Sequence, residues 1–309
     1  MTHAIDGRTC GVFVIAATPF DDTGALDLAS VDTMVENYLE TGADGLTILG
    51  VMGESAKLSS EESATFLTHV LKRVGGRVPV VVGVSNAGTD TLVGFSHAAM
   101  DAGAAGVMIA PLPSQRTEEQ VVGYYAEIAA RLSPEVPVVL QDYPQTTTVH
   151  MSVATVERIV ERCPQMVCFK HEDCPGLAKL SALRAGDATR RRLSILVGNS
   201  GLFLPQELAR GADGAMTGFA YPEMMVGVCR AFRDGDPDRG EDLFDLYLPL
   251  VRYEAQPGLG LAIRKEILRR RGAIRSALVR APGPKLSPAD HAEITRLMGR
   301  LERRLAARR

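Results

Sequence analysis

Lys170 closes an apolar run, Met166-Val167-Cys168-Phe169-Lys170. A lysine at the end of a buried strand is costly as an ammonium. Desolvation favours its neutral form, and a neutral amine can attack a carbonyl to form a Schiff base. The plain alternative is a side chain that runs its stem along the strand and its charge into solvent. Two further segments carry candidate chemistry. In Gly50-Val51-Met52-Gly53-Glu54-Ser55 two glycines bracket exposed backbone, and successive N–H groups aimed at one point suit a carboxylate, although an isolated segment of this kind also reads as an ordinary tight turn. In Gln141-Asp142-Tyr143-Pro144 the period of two puts Gln141 and Tyr143 on one face and Asp142 on the other, so Tyr143 is a proton carrier or an aromatic rim.

These residues need elements to position them, and a recurring pattern supplies the organisation. Thr41-Gly42-Ala43-Asp44-Gly45-Leu46, Ala102-Gly103-Ala104-Ala105-Gly106-Val107 and Arg210-Gly211-Ala212-Asp213-Gly214-Ala215 each read as a helix ending on a C′ glycine and entering a buried strand. Strands are predicted at about 11–18, 45–50, 78–84, 105–110, 136–143, 166–170, 193–198 and 213–217, with amphipathic helical stretches between them. Short, nearly continuous apolar strands alternating with helices imply a parallel sheet covered by helices, and their number favours a closed (β/α)8 TIM barrel over an open doubly wound sheet. Such a barrel over residues 1–231 would be followed by a C-terminal helical appendix over 232–309, with helices at 236–256, 258–272 and 287–307. In that fold chemistry gathers at the carboxyl ends of the strands, which is where Lys170 and the two turns fall.

Composition excludes several classes. The 309 residues are 46% hydrophobic with a net charge of −3, so no global basic field invites nucleic acid. The basic segment Arg264-Lys265-Glu266 through Arg269-Arg270-Arg271 and Arg275 is interleaved with Ile263, Ile267, Leu268 and Ile274, and reads as an amphipathic helix with a solvated cationic face. No apolar stretch approaches the roughly 18 residues of a membrane span. Cys10, Cys163, Cys168, Cys174 and Cys229 lack metal-type spacing, and no leader segment is evident. Reduced thiols in a cytoplasmic protein are expected, without metal or cofactor. His69 and His97 read as helix-surface or packing residues, and His171 should face away from Lys170 by strand alternation.

The Gly50-Val51-Met52-Gly53-Glu54 turn, Pro144 after strand five, Phe169-Lys170, Gly198-Asn199 after strand seven and Gly214-Ala215-Met216-Thr217-Gly218 in strand eight together resemble the dihydrodipicolinate synthase and N-acetylneuraminate lyase family. The resemblance implies that Lys170 forms an imine with pyruvate or another 2-oxo acid. It also implies that the N–H groups of Met52 and Gly53, within a Val51, Met52, Gly53 turn, hold the substrate carboxylate. Gly198, Asn199, Met216 and Thr217 are implied to complete the binding site, in a homotetramer of paired dimers or a simple dimer.

Departures from that pattern shape the expected activity. Aligned on Pro144, the family's catalytic tyrosine falls on Gln141. Val51 and Met52 stand where the synthase has two threonines, Pro111-Leu112-Pro113-Ser114 where it has a relay tyrosine, and Thr146 where it has an arginine. Gln141-Asp142, Phe169-Lys170 followed by Glu172, and Pro175-Gly176 look like the family's 2-keto-3-deoxy sugar-acid dehydratases. The expectation is therefore a Schiff-base lyase, a dehydratase or retro-aldolase, acting on a hydroxylated 2-oxo acid. A synthase and a non-catalytic metabolite-binding homologue are the alternatives. Because an amide cannot exchange protons at useful pH, the shuttle is expected to be Tyr143, Glu172 or a water held by Gln141, with the last favoured.

Overall fold

A computed structural model describes residues 4–308, so residues 1–3 and 309 at the edges of the two expected regions lie outside it. Eight parallel strands close into a barrel in sequential order. The first half runs β1 Gly11–Ile15, α1 Leu28–Glu40, β2 Gly45–Ile48, α2 Ser60–Val74, β3 Val80–Gly83, α3 Thr89–Asp101, β4 Gly106–Ile109 and α4 Glu118–Arg131. The second half runs β5 Val138–Asp142, α5 Pro144–Thr147, α6 Val153–Arg162, β6 Met166–His171, α7 Leu177–Ala185, β7 Ser194–Val197, α8 Leu204–Ala209, β8 Gly214–Thr217 and α9 Pro222–Arg233. Helices α10 Pro237–Glu254, α11 Gly260–Arg270 and α12 Pro288–Ala306 follow as the C-terminal appendix, and α9 carries through the expected boundary at 231.

The glycine pairs in the recurring pattern have two separate tasks. Gly42, Gly103 and Gly211 take φ of +83°, +100° and +91°, the left-handed turn that ends a helix and that side chains resist. Gly45 lies against the Phe13 ring, where an added Cβ would sit 2.4 Å from the nearest ring carbon. The aspartates between them fix the strands: Asp44 Oδ2 accepts from Val12 N, and Asp213 Oδ2 from Ile195 N, both at 2.8 Å.

Inside the barrel Phe13, Ile15, Val81, Met108, Val139, Cys168, Leu196 and Met216 form an apolar plug. One period further along β5 and β6 the inward side chains become Gln141 and Lys170, which are register partners. Strands one and two are shorter than predicted. Residues 16–18 and 49–50 stay buried, which prolongs the apolar run, but they leave the ladder to shape the mouth.

The expectation of a solvated cationic face holds at Arg269 and Arg275, which are exposed, and fails in the first half of helix α11. Arg264, Lys265 and Glu266 are all buried, at 2%, 0% and 3% exposure. Lys265 Nζ reaches Glu54 Oε1 at 2.5 Å and Leu278 O at 2.8 Å, so the appendix grips the β2 turn from above. Glu54 also binds Lys57 Nζ and the Arg280 N–H, each at 3.0 Å. Sequence periodicity missed this because a cation and an anion far apart in the chain satisfy each other in the interior. No helix among the described residues is long and apolar enough to cross a membrane.

Removing one partner of a buried ion pair leaves an uncompensated charge, so Lys265→Met should cost roughly 3 kcal/mol in urea unfolding. An unchanged midpoint would show that the Glu54 contact contributes nothing. Glu207, in the first turn of α8, gives a second expectation. Burial pushes its carboxyl up from 4.5 to about 7, only partly opposed by His171, and its Oε2 has no partner among the described residues. Between those two pH values the folded state holds a proton that the unfolded chain has released. This group's contribution is therefore fully present below about pH 4.5 and lost as pH rises to 7, by roughly 3 kcal/mol. Glu207→Gln should flatten that slope relative to the parent, and parallel slopes would contradict it.

Candidate active site

Strand alternation sets the chemistry at the mouth. Lys170 and, two residues on, Glu172 point to the same side, and Lys170 Nζ lies 3.0 Å from Glu172 Oε2. Gln141, across the ladder from Lys170, donates from Nε2 to the same oxygen at 2.7 Å. All three side chains are buried. The amine is thus ion-paired rather than a bare desolvated group, which refines the expectation for Lys170. Gly198 makes room for the carboxylate, since a Cβ there would sit 2.2 Å from Glu172 Cγ. Asn199 Nδ2 donates to Glu172 O at 2.9 Å and fixes its backbone.

The alternate face of the same strands is turned outward. His171 stacks on Phe169 with ring centroids 5.7 Å apart and donates from Nε2 to Gly176 O at 3.0 Å. Asp142 accepts from Lys179 Nζ at 2.5 Å. His171 therefore faces away from the mouth, as alternation requires.

Lys170, Glu172, Gln141, Tyr143, Val51, Met52, Asn199 and Thr217 line one cavity of about 50 Å³, together with Ile15, Ser200, Gly218 and Arg264. A larger hollow of about 490 Å³, lined by Arg8, Asp44, Arg192 and Asp213, lies at the opposite, N-terminal ends of the strands. Conserving the barrel rather than chemistry is the usual work of that face. Three residues expected in the site do not line the cavity. Met216 belongs to the plug below, Gly198 acts through the space it leaves, and Gly53 sits inside its own turn. No group of three or more His, Cys, Asp or Glu side chains among the described residues could hold a metal ion.

The β2 turn is a short 3-10 segment, Val51–Gly53, flanked by Leu49 and Glu54 with φ of +55° and +56°. These are left-handed conformations that cost side chains about 1 kcal/mol or more, and at Glu54 the side chain is held by Lys265. Gly53 N–H donates to Gly50 O at 3.0 Å, whereas the N–H groups of Val51 and Met52 find no partner among the described residues. The two unengaged amides are therefore those of Val51 and Met52, not of Met52 and Gly53. Across the mouth, Ser200 N donates to Thr217 Oγ1 at 2.8 Å, tying the β7 turn to β8. Burial, with the Glu172 charge in second place, pushes the Tyr143 phenol above its usual value, so it stays protonated through neutral pH.

Arg264 is the cavity residue that sequence reasoning placed elsewhere. Its Nε donates to Glu254 Oε1 at 2.5 Å and its Nη2 to Gly218 O, while Nη1 is buried without a partner among the described residues. Burial, only partly opposed by the Arg264 guanidinium, pushes the Glu254 carboxyl above its usual value. Both its oxygens accept, Oε2 from Ala220 N at 3.0 Å, which is the pattern of an ionised carboxylate. The signal in the sequence is slight: Gly218 is needed because a Cβ there would meet Arg264 Nη1 at 1.8 Å, but nothing local to Arg264 announces it.

Comparison with known proteins gives this geometry a context. L-2-Keto-3-deoxyarabonate dehydratase of Azospirillum brasilense is 33% identical over 309 residues, covering 98% of this chain and 97% of that protein. A 4-hydroxy-tetrahydrodipicolinate synthase of Sorangium cellulosum is 33% identical over 306 residues, covering 96% and 97%. The crystal structure of dihydrodipicolinate synthase from Rhodopseudomonas palustris superposes with a TM-score of 0.94 at 43% identity, covering 96% of this chain and 99% of that one. Residues 8–301 match the dihydrodipicolinate synthetase family, and with its closed barrel the chain belongs to that family of lyase-type enzymes.

Proposed function

We propose that this enzyme dehydrates a 2-keto-3-deoxy sugar acid, or a similar hydroxylated 2-oxo acid, through a Schiff base on Lys170. The observation that carries the reading is Glu172 Oε2 held between Lys170 Nζ at 3.0 Å and Gln141 Nε2 at 2.7 Å. That arrangement provides a nucleophile and, beside it, a carboxylate able to take and return protons. The free amides of Val51 and Met52 receive the substrate carboxylate. Lys170 Nζ passes a proton to Glu172 and attacks C2, an amine proton moves to the keto oxygen, and Glu172 returns its proton there, so that the oxygen leaves as water and Glu172 is again a carboxylate. The iminium then acidifies C3. Glu172 removes a C3 proton, the enamine pair expels the C4 hydroxyl, and the proton held by Glu172 leaves with it as water. Hydrolysis of the iminium frees Lys170, so the net change is the loss of one water from C3 and C4.

This assigns the shuttle to Glu172 rather than to Tyr143 or to a water on Gln141. Gln141 becomes the residue that orients the carboxylate, and Tyr143 a hydrogen-bond donor at the rim. Asn199 and Gly198 position Glu172, and Thr217 holds the mouth closed on the β8 side. The likeness to the Azospirillum dehydratase supports the substrate class. By likeness alone, assembly as a homodimer or homotetramer is also proposed.

Synthase activity is the second reading, favoured by the 43% identity with the Rhodopseudomonas structure. Against it stands the charge at the cavity. Its cations, Lys170 and Arg264, are each paired with a carboxylate, and Thr146 offers no charge for a second substrate carboxylate. Condensation of pyruvate with aspartate semialdehyde should therefore be slow or absent, and a rate matching the dehydration would overturn this choice.

Borohydride in the presence of pyruvate should add the mass of the reduced adduct to the peptide holding Lys170, and labelling that survives Lys170→Ala would refute the imine assignment. Glu172→Gln should lower dehydration of 2-keto-3-deoxy acids by about 10²-fold or more, the usual scale for a lost acid or base. Gln141→Leu should be damaging but milder, and Tyr143→Phe nearly silent. A reversed order, with Tyr143→Phe the most harmful, would move the shuttle to the phenol.

A further inference from the structure

Arg264 comes from α11, outside the barrel, yet it lines the same cavity as Lys170 and Glu172. It is 2% exposed, and its Nη1 is a buried donor without a partner among the described residues. Buried donors are almost always satisfied, because leaving one unmade costs about 1–3 kcal/mol. Nη1 lies against Gly218, itself a cavity residue, whose missing side chain admits the guanidinium. The charge is already answered: Glu254 takes Nε at 2.5 Å, in a pair buried on both sides. The pair therefore presents a strong hydrogen-bond donor with no net charge.

We propose that Arg264 determines specificity at the far end of the substrate, its Nη1 donating to an uncharged oxygen, a hydroxyl or carbonyl, while Glu254 keeps a second carboxylate out. This inference rests on the reading of the cavity as a 2-oxo acid site. It deepens that reading by assigning the tail of the substrate to the C-terminal appendix. A point cation without Glu254 would attract a diacid, whereas the neutralised pair rewards a hydroxylated tail and rejects a charged one. The neighbouring Lys265 holds Glu54 at the end of the β2 turn, so one helix braces the turn whose amides receive the carboxylate end and supplies the donor for the opposite end.

The test uses the full-length protein and three probes: pyruvate, which has no tail, a 2-keto-3-deoxy pentonate, and 2-oxoglutarate. The double variant Arg264→Met with Glu254→Gln removes the guanidinium without stranding a buried carboxylate. KM for the pentonate should rise about ten- to a hundredfold, the worth of a charge-assisted hydrogen bond, while pyruvate trapping on Lys170 reports that the fold and the amine are intact. An unchanged KM with pyruvate trapping retained would overturn the proposal. Glu254→Gln alone leaves the guanidinium without its counter-charge, so borohydride trapping of 2-oxoglutarate relative to pyruvate should improve about tenfold. No gain in that ratio would equally overturn it, and it decides the matter if the double variant does not fold. A parent protein that traps none of the three acids would instead refute the lyase reading itself.

Discussion

One oxygen atom organises the mouth of this barrel. Glu172 Oε2 accepts from Gln141 Nε2 and faces Lys170 Nζ, with all three side chains buried. A carboxylate and an ammonium can share a site of low polarity only as a hydrogen-bonded pair, since either charge alone would be strongly destabilising. The fold provides for that pair at several levels. Register sets Gln141 opposite Lys170, the period of two brings Glu172 to the same side, Gly198 clears its path and Asn199 pins its backbone. The proposed chemistry would exploit the same closeness, because a proton moved across 3.0 Å turns an ion pair into a nucleophile and an acid.

The second constraint is the docking of α11. A (β/α)8 barrel leaves its loops at the mouth free to vary, and here the appendix stiffens them. Lys265 holds the side chain of Glu54, which takes a left-handed conformation at the end of the strained turn whose Val51 and Met52 amides stay free. Arg264 and Glu254 bind the end of β8 through Gly218 O and Ala220 N. Two buried ion pairs on one helix make the appendix part of the site's architecture. Charge that looks like solubility in the sequence is, in this position, structural.

Much of this was legible in the residues. The glycine-punctuated repeats gave the barrel, because each C′ glycine needs a positive φ that few other residues tolerate. Alternation placed Lys170, Gln141 and Tyr143 at one cavity and sent His171 outward. The same rule places Glu172 beside Lys170, yet geometry was needed to prefer it over a water on Gln141 as the shuttle, since the bond between Gln141 and Glu172 joins residues 31 apart. Arg264 and Lys265 were misread as solvent-facing because their partners, Glu254 for one and Glu54 for the other, lie in other elements, and a helical wheel sees only its own helix. Met216 was one layer too deep to line the cavity, an error of depth along a strand that period-two patterning does not measure.

The central claim is that Glu172 moves the proton at C3. On the proposed mechanism pyruvate forms the imine and exchanges its methyl protons with no C4 hydroxyl to lose, which isolates that step. In deuterated water, followed by proton NMR, the parent enzyme should wash the pyruvate methyl signal out. Glu172→Gln should still be trapped by borohydride at Lys170 while exchanging at least 10²-fold more slowly. Exchange at the parent rate in a variant that still forms the imine would contradict the account and place the base elsewhere in the cavity.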